Sequence, residues 1–554
     1  MTCPDHVSRR SRVGPVTSPA TVSLSRSAAG SEVPTAQERA KPRWRTEDPV
    51  VGWTGALALT ALAFFLRWWK LGTPHQFSFD ETYYAKDAWS MLGNGYVRKY
   101  VEDADKTILN GQPKGLWLDE PSMVVHPEVG KWIIALGEKA FGMDPFGWRI
   151  AAAVVGSLMV LLMCRFVRRV TGSTALGLVG GLLLAADGLQ LVLSRLALLD
   201  IFLAFFILLG VHCVVADRQW FRARLARGAT RALFRPWLIA AGVAFGLAVG
   251  TKWTALFPLA AFGVLLAVWN LGARRSFGDP RALPKALLVD GPVAFASLVL
   301  VALVVYVTSW TGWMMHAGEY ERVLSNTQYT TYDGGKQWAT ATEPDATGFG
   351  EVTQSLHSLW DYHQDVYAFH SHFLNDSSHV YASRPIGWLV MSRPVGVDAQ
   401  LDIQPGQQGC DAPTGSTCLR QVLLLGNPLI WWAGTIALAF ALVRWLGGRD
   451  WRFGVAIMGV ASTWLPWLLY DDRPIFIFYM IATLPFLVLG LTLALGSIIG
   501  SSNVPTPRRT AGVVIAGSYV VMTVFAFAWF WPVWTDQLIT HEEWMRRIWF
   551  TRWI

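Results

Sequence analysis

The feature that most limits the fold is a series of apolar runs, each near the length of a membrane span, spread along most of the chain. A hydrocarbon core about 30 Å thick takes about 20 helical residues to cross, since every backbone N–H and C=O must be paired inside it. The first run, VVGWTGALALTALAFFLRWW, already meets that length. About eleven such spans are read, at roughly 50–70, 144–167, 173–193, 197–216, 236–252, 253–271, 286–309, 426–446, 453–470, 474–496 and 511–531. The alternating segments of a membrane β-barrel are absent. The expected fold class is therefore an all-α polytopic membrane protein. Its composition agrees, with 53% of 554 residues hydrophobic and only 16% charged.

Orientation follows from where Lys and Arg fall, because cytoplasmic connections retain positive charge. Residues 1–49 are rich in Ser, Pro and Arg and lack the apolar core of a signal peptide, so they read as a disordered cytoplasmic tail. With that tail inside, the even-numbered connections are also inside, and they carry RFVRR, DRQWFRARLARGATRALFR, ARRSFGDPRALPK, RWLGGRDWR and PTPRR. The odd-numbered connections are poorer in Lys and Arg, and the first is acidic. This places the first connection outside the cytoplasm and makes the C-terminal segment, 532–554, extracytoplasmic as well. The pI near 9.2 reflects the inside bias. No basic soluble domain is present to bind nucleic acid.

The organisation expected is an N-terminal transmembrane module at 50–309 with a first external loop at 71–143. A large external loop follows at 310–425, then C-terminal transmembrane helices at 426–531. Loops this long are functional or disordered, and the second is rich in aromatics and histidines, with two helical-looking stretches. The two halves show no internal repeat, unlike many secondary transporters. Among five cysteines, Cys410 and Cys418 share the short external loop GCDAPTGSTC, where an oxidising compartment favours a disulfide. The loop histidines form no ligand pattern with a carboxylate, and no metal is expected.

The first external loop carries FSFDETYY, with Asp80 and Glu81 within about 13 residues of Arg67. The loop therefore stays close to the bilayer. HPEVGKWIIALGEKAFG follows, reading as a short interfacial helix with Pro127 and Glu128 in its first turn. Arg149 opens the second span. Two carboxylates and the cations Arg67, Lys131 and Arg149 thus gather at one interface. A lipid-linked phosphate lies at that depth. Arginine holds phosphate bidentately, and a carboxylate beside it can take a proton from an incoming hydroxyl. Each group also has a plainer role: Arg149 and Lys252 as snorkelling span ends, Arg195 and Asp200 as an ion pair closing a short turn, and His212 as a packing residue.

The chain resembles the protein O-mannosyltransferase family over nearly its whole length after the tail. The ordered set is Arg67 followed by Asp80-Glu81, HPEVGKW, GWRIAA, LSRLALLDIFL, GLAVGTKWTALFPL, DDRPIFIFYMIATLPF and EEWMRRIWFTRWI. Fungal and animal members carry HPP where this chain has His126-Pro127-Glu128, and a β-trefoil domain that the large loop is too short to hold. The resemblance is to the bacterial, actinobacterial-like branch. It implies a GT-C-type glycosyltransferase fold and inverting transfer of mannose from polyprenyl-phosphate mannose to Ser or Thr of secreted polypeptides, without a metal or other cofactor. Asp80 is then the expected base, Glu81 positions acceptor or sugar, and Arg149 holds the leaving phosphate. Arg67 and Arg473, and after them His126 and Lys131, are further candidates for binding the lipid phosphate or the sugar. The secretion translocon is an expected partner. The alternatives are another lipid-linked sugar transferase acting on lipid or cell-wall glycan, a lipid-sugar flippase, and a non-catalytic membrane scaffold.

Overall fold

A computed structural model describes residues 49–327, 329, 337–470, 472–500 and 506–554. Nearly all of the tail expected at 1–49 lies outside these residues. Each apolar run expected to cross the membrane coincides with helix. Among the described residues, eight helices are long and apolar enough to span: Pro49–Trp68, Pro145–Thr171, Leu199–Ala226, Trp253–Ser276, Ala282–Ser309, Pro428–Leu446, Trp451–Leu469 and Pro507–Trp534. Three further apolar helices are shorter: Thr174–Ala185 with 12 residues, Pro236–Val249 with 14 and Leu484–Ile499 with 16.

Each short helix has a local cause. The run expected at 173–193 breaks at Asp187, whose carboxylate accepts from the Gln190 N–H and starts a separate helix, Gly188–Leu193. Such a side chain at an N-terminus satisfies a backbone donor that has no partner in its own helix. The same carboxylate accepts from Asn427 N and Trp431 Nε1, both at 2.9 Å, tying the two halves of the bundle together. The run at 236–271 divides at Gly250-Thr251-Lys252, and the one at 474–496 becomes regular α-helix only from Leu484.

The two long connections meet at one end of the bundle. The Tyr362 hydroxyl accepts from Val124 N–H at 2.8 Å and donates to Val124 C=O at 2.6 Å, and Gln76 bonds Asp398. The second connection holds the 23-residue helix Phe349–Ser371. It also holds an antiparallel hairpin, Val395–Ile403 with Cys418–Leu424, which the sequence reading did not anticipate. Cys410 and Cys418 are disulfide-bonded at the hairpin tip, as expected. From the far end of the chain, Ile539–Thr540 adds a third strand to the hairpin, and Trp544 Nε1 donates to Gln421 Oε1 at 2.8 Å.

Replacing Cys410 and Cys418 together with Ser is expected to remove about 2–3 kcal/mol of local stability, the entropy of closing so short a loop. Limited proteolysis should then cut the hairpin faster while the melting of the membrane helices is unchanged.

Candidate active site

The first connection folds around one arginine. Arg149, fully buried in the first turns of Pro145–Thr171, directs Nε and Nη2 to the two carboxylate oxygens of Glu81 at 2.8 and 2.7 Å. Its remaining N–H groups reach the carbonyls of Leu71, Pro74 and Gln76 at 3.3, 2.9 and 2.9 Å. Glu81 is equally enclosed and also accepts from the N–H groups of Ser78 and Ala197, each at 2.9 Å. An unpaired charge in such a place would be strongly unfavourable, and here both charges are paired and fully hydrogen-bonded. Every donor of Arg149 is committed, which leaves none for a lipid phosphate. Glu81 likewise has no oxygen free for acceptor or sugar. The geometry gives this pair a positioning task in place of the substrate contacts expected from the sequence.

Glu81 opens the helix Glu81–Asn94, where a carboxylate suits the positive N-terminus, and Gly95 ends it at φ 81°. Asp80 sits immediately before that helix and does not cap it. Its carboxylate meets the Tyr84 hydroxyl at 3.5 Å and accepts no closer bond among the described residues. The preceding Phe79 is held at φ 54°, a left-handed conformation that is unfavourable for a bulky side chain. Three rings hold it edge-on: Phe476, Phe478 and His379, with centroids 5.6–5.9 Å away. One carboxylate of the pair is thus locked, and its neighbour is left open.

Burial raises the Asp80 carboxyl to about 6. Nearby Lys252 opposes the rise, Asp200 adds to it, and the Tyr84 hydroxyl opposes it. Lys252 bonds Asp200 at 2.8 Å and stands 5.3 Å from the Tyr479 ring centroid. The expected Arg195–Asp200 pair therefore does not form. Arg195 instead donates to the carbonyls of Arg67, Trp69 and Lys70 at 2.9, 2.7 and 3.1 Å, a cation closing the C-terminus of the first helix. Nearness in sequence suggested the wrong partner for each.

The remaining candidates divide. Arg67 is fully buried between Ala63 C=O and Gln190, and Lys131 is paired with Asp87 at 3.1 Å, so both support the fold. His126 stacks on His370, centroids 5.5 Å apart. Arg473 Nη1 donates to His370 Nδ1 at 2.8 Å, which requires the His370 proton on Nε2, where it reaches Val125 C=O at 3.2 Å. Burial and Arg473 lower His370 to about 4, so it stays neutral. Arg473 is half-buried, its Nε has no partner among the described residues, and no carboxylate pairs with it there. Sequence reasoning missed Tyr479 as a neighbour of Asp80, since it lies far along the chain, whereas Phe79 and Tyr84 stand in the same FSFDETYY stretch. Among the described residues no three His, Cys, Asp or Glu side chains form a metal-binding group.

Two family models cover most of the chain. "Dolichyl-phosphate-mannose-protein mannosyltransferase" matches residues 57–307, and "C-terminal four TMM region of protein-O-mannosyltransferase" matches 355–553. A polyprenol-phosphate-mannose–protein mannosyltransferase of Mycolicibacterium smegmatis is 34% identical over 91% of this chain and 94% of its own length. The chain belongs to the protein O-mannosyltransferase family. A second relative in that family, from Corynebacterium glutamicum, is 32% identical over 87% of this chain and 88% of its own. The S. cerevisiae protein O-mannosyltransferase Pmt1–Pmt2 complex bound to the sugar donor shares the fold, with a TM-score of 0.67 over 92% of this chain and 94% of that one at 15% identity.

Removing either partner of the Glu81–Arg149 pair strands a buried charge, at a cost of about 3–5 kcal/mol. Glu81→Ala and Arg149→Ala should each sharply lower the melting temperature of purified protein, the double variant should lose less than the sum, and Asp80→Asn should not lower it. Equal melting of all variants would contradict the positioning role.

Proposed function

We propose that this chain transfers mannose from polyprenyl-phosphate mannose to Ser and Thr hydroxyls of exported proteins, with inversion, at the outer face of the plasma membrane. The supporting observation is the division of labour between two adjacent carboxylates. Glu81 is consumed by Arg149, while Asp80 stays open beside Lys252 with its carboxyl near 6. A base with that pKa is mostly ionised at neutral pH yet still accepts a proton readily.

In this reading Asp80 takes the proton of the acceptor hydroxyl as its oxygen bonds to the anomeric carbon. The bond from that carbon to the lipid phosphate oxygen breaks on the opposite side, and the phosphate leaves with the electron pair. Arg473 is the cation assigned to that phosphate, replacing Arg149, because a fixed positive charge is most useful where negative charge develops. Lys252 and Asp200 set the field at Asp80, and the Glu81–Arg149 pair holds the loop in place. The eleven apolar segments all cross the membrane, with the N-terminus cytoplasmic and the Asp80 end outside. Acceptors are met in extended form as they emerge from the translocon.

Membranes containing the wild type or Asp80→Asn, supplied with radiolabelled polyprenyl-phosphate mannose and a Ser/Thr-rich peptide, test the assignment. Transfer by the variant should fall roughly 10²–10⁴-fold at unchanged protein level. Equal transfer would remove Asp80 from the role of base. The wild-type rate should also fall as pH drops through about 6, where Asp80 gains its proton, and level off above it. A rate flat from pH 5 to 8 would contradict the raised pKa.

A further inference from the structure

The end of the bundle away from Asp80 holds a cleft of about 890 Å³ between the helices Pro49–Trp68, Pro145–Thr171, Leu199–Ala226 and Pro236–Val249. It lies about 24 Å along Pro145–Thr171 from Arg149, at a rise of 1.5 Å per residue. Arg165, Arg168 and Arg169 line it from that helix, with apolar walls that include Leu158, Leu161 and Leu209.

These arginines differ from three of the buried ones elsewhere. Arg149, Arg235 and Arg274 each face a carboxylate. The arginines of the cleft face none among the described residues. Arg165 lies over the Trp53 ring at 4.0 Å, and its Nη1 is buried without a partner. Arg168 Nε donates to Thr174 Oγ1 at 3.0 Å. Arg169 donates to Gln219 Oε1 at 3.1 Å and to His212 Nε2 at 3.2 Å. Because His212 Nε2 accepts, its proton sits on Nδ1, which is buried and also unpartnered. The polar side of the cleft therefore offers positive charge with no carboxylate facing it, and two buried nitrogens, Arg165 Nη1 and His212 Nδ1, without a partner among the described residues. Its other side is aliphatic and aromatic.

We infer that this cleft binds an anionic phospholipid from the leaflet opposite the Asp80 site, its phosphate on Arg165 and Arg169 and its acyl chains along the leucine wall. Guanidinium groups pair bidentately with phosphate oxygens, and buried unpartnered donors are satisfied by an acceptor-rich anion. Trp53 and Trp237 flank the headgroup, at the depth where indoles favour a membrane interface. Inorganic phosphate would leave the apolar wall uncovered, so the lipid is the better match. The inference needs the membrane-embedded fold and does not depend on the transfer chemistry.

The test uses the purified full chain in detergent with native mass spectrometry. It is exposed in turn to a phosphatidylglycerol, to the phosphatidylcholine of the same chains, and to the phosphatidylglycerol with excess inorganic phosphate. Phosphatidylglycerol should be retained over phosphatidylcholine, and the double variant Arg165→Gln/Arg169→Gln should weaken retention roughly tenfold or more, the worth of one charge-assisted hydrogen bond. The control Arg508→Gln/Arg509→Gln, at the start of Pro507–Trp534 and outside the cleft, removes the same charge and should leave retention unchanged. Leu209→Trp, which fills the wall without altering charge, should also expel the lipid and keeps the test usable if the double variant does not fold. Equal losses in the cleft and control pairs, equal retention of both lipids, or displacement by inorganic phosphate would each overturn the assignment.

Discussion

The arrangement around Asp80 depends on one buried ion pair. Arg149 and Glu81 come from segments 68 residues apart and are both shielded from solvent, so neither charge is tolerable without the other. Around that pair the chain from Leu71 to Ser78 turns back on itself, giving carbonyls to the guanidinium and one N–H to the carboxylate. The loop is thereby fixed without a regular element of its own. The helix that starts at Glu81 inherits that fixed origin, and the direction of Asp80 follows from it.

Holding Asp80 in place also needs a second connection. Phe79 keeps a left-handed backbone because rings from Phe476, Phe478 and His379 leave it little room to relax. Strain of this kind survives only when the surroundings over-determine it, and it recurs at functional sites. Arg473 and His370 come from the same distant regions and are bonded to each other, so the segments that fix the turn at Phe79 also hold this cation in place.

The membrane character was legible in the sequence because hydropathy and charge bias are summed over many residues and tolerate local error. Asp80 stood out for the same reason that Glu81 did, as an acid beside a bilayer among aromatics. The assignment of partners was not legible. Arg149 reads equally well as a snorkelling span end, a phosphate ligand or a buried counter-ion, and only its tertiary neighbours decide among these. Arg195 and Asp200 seemed paired because they are five residues apart, yet one caps the first helix and the other meets Lys252. The hairpin at Val395–Ile403 escaped notice because its alternation is short and its partner strand lies beyond a Pro/Gly loop. The disulfide in that loop was foreseeable from compartment and spacing alone.

The third strand of that hairpin has a consequence for biosynthesis. Ile539–Thr540 pairs with Cys418–Leu424, and Trp553 Nε1 donates to Met391 C=O at 2.9 Å across 162 residues. These contacts form only after the helix Pro507–Trp534 has emerged from the ribosome and entered the bilayer. A nascent chain short of that point has an unfinished sheet edge beside a loop that already touches Gln76. Maturation is thus ordered in time: an early segment supplies Asp80 and Gln76, and a late one completes the sheet whose first strand bonds Gln76.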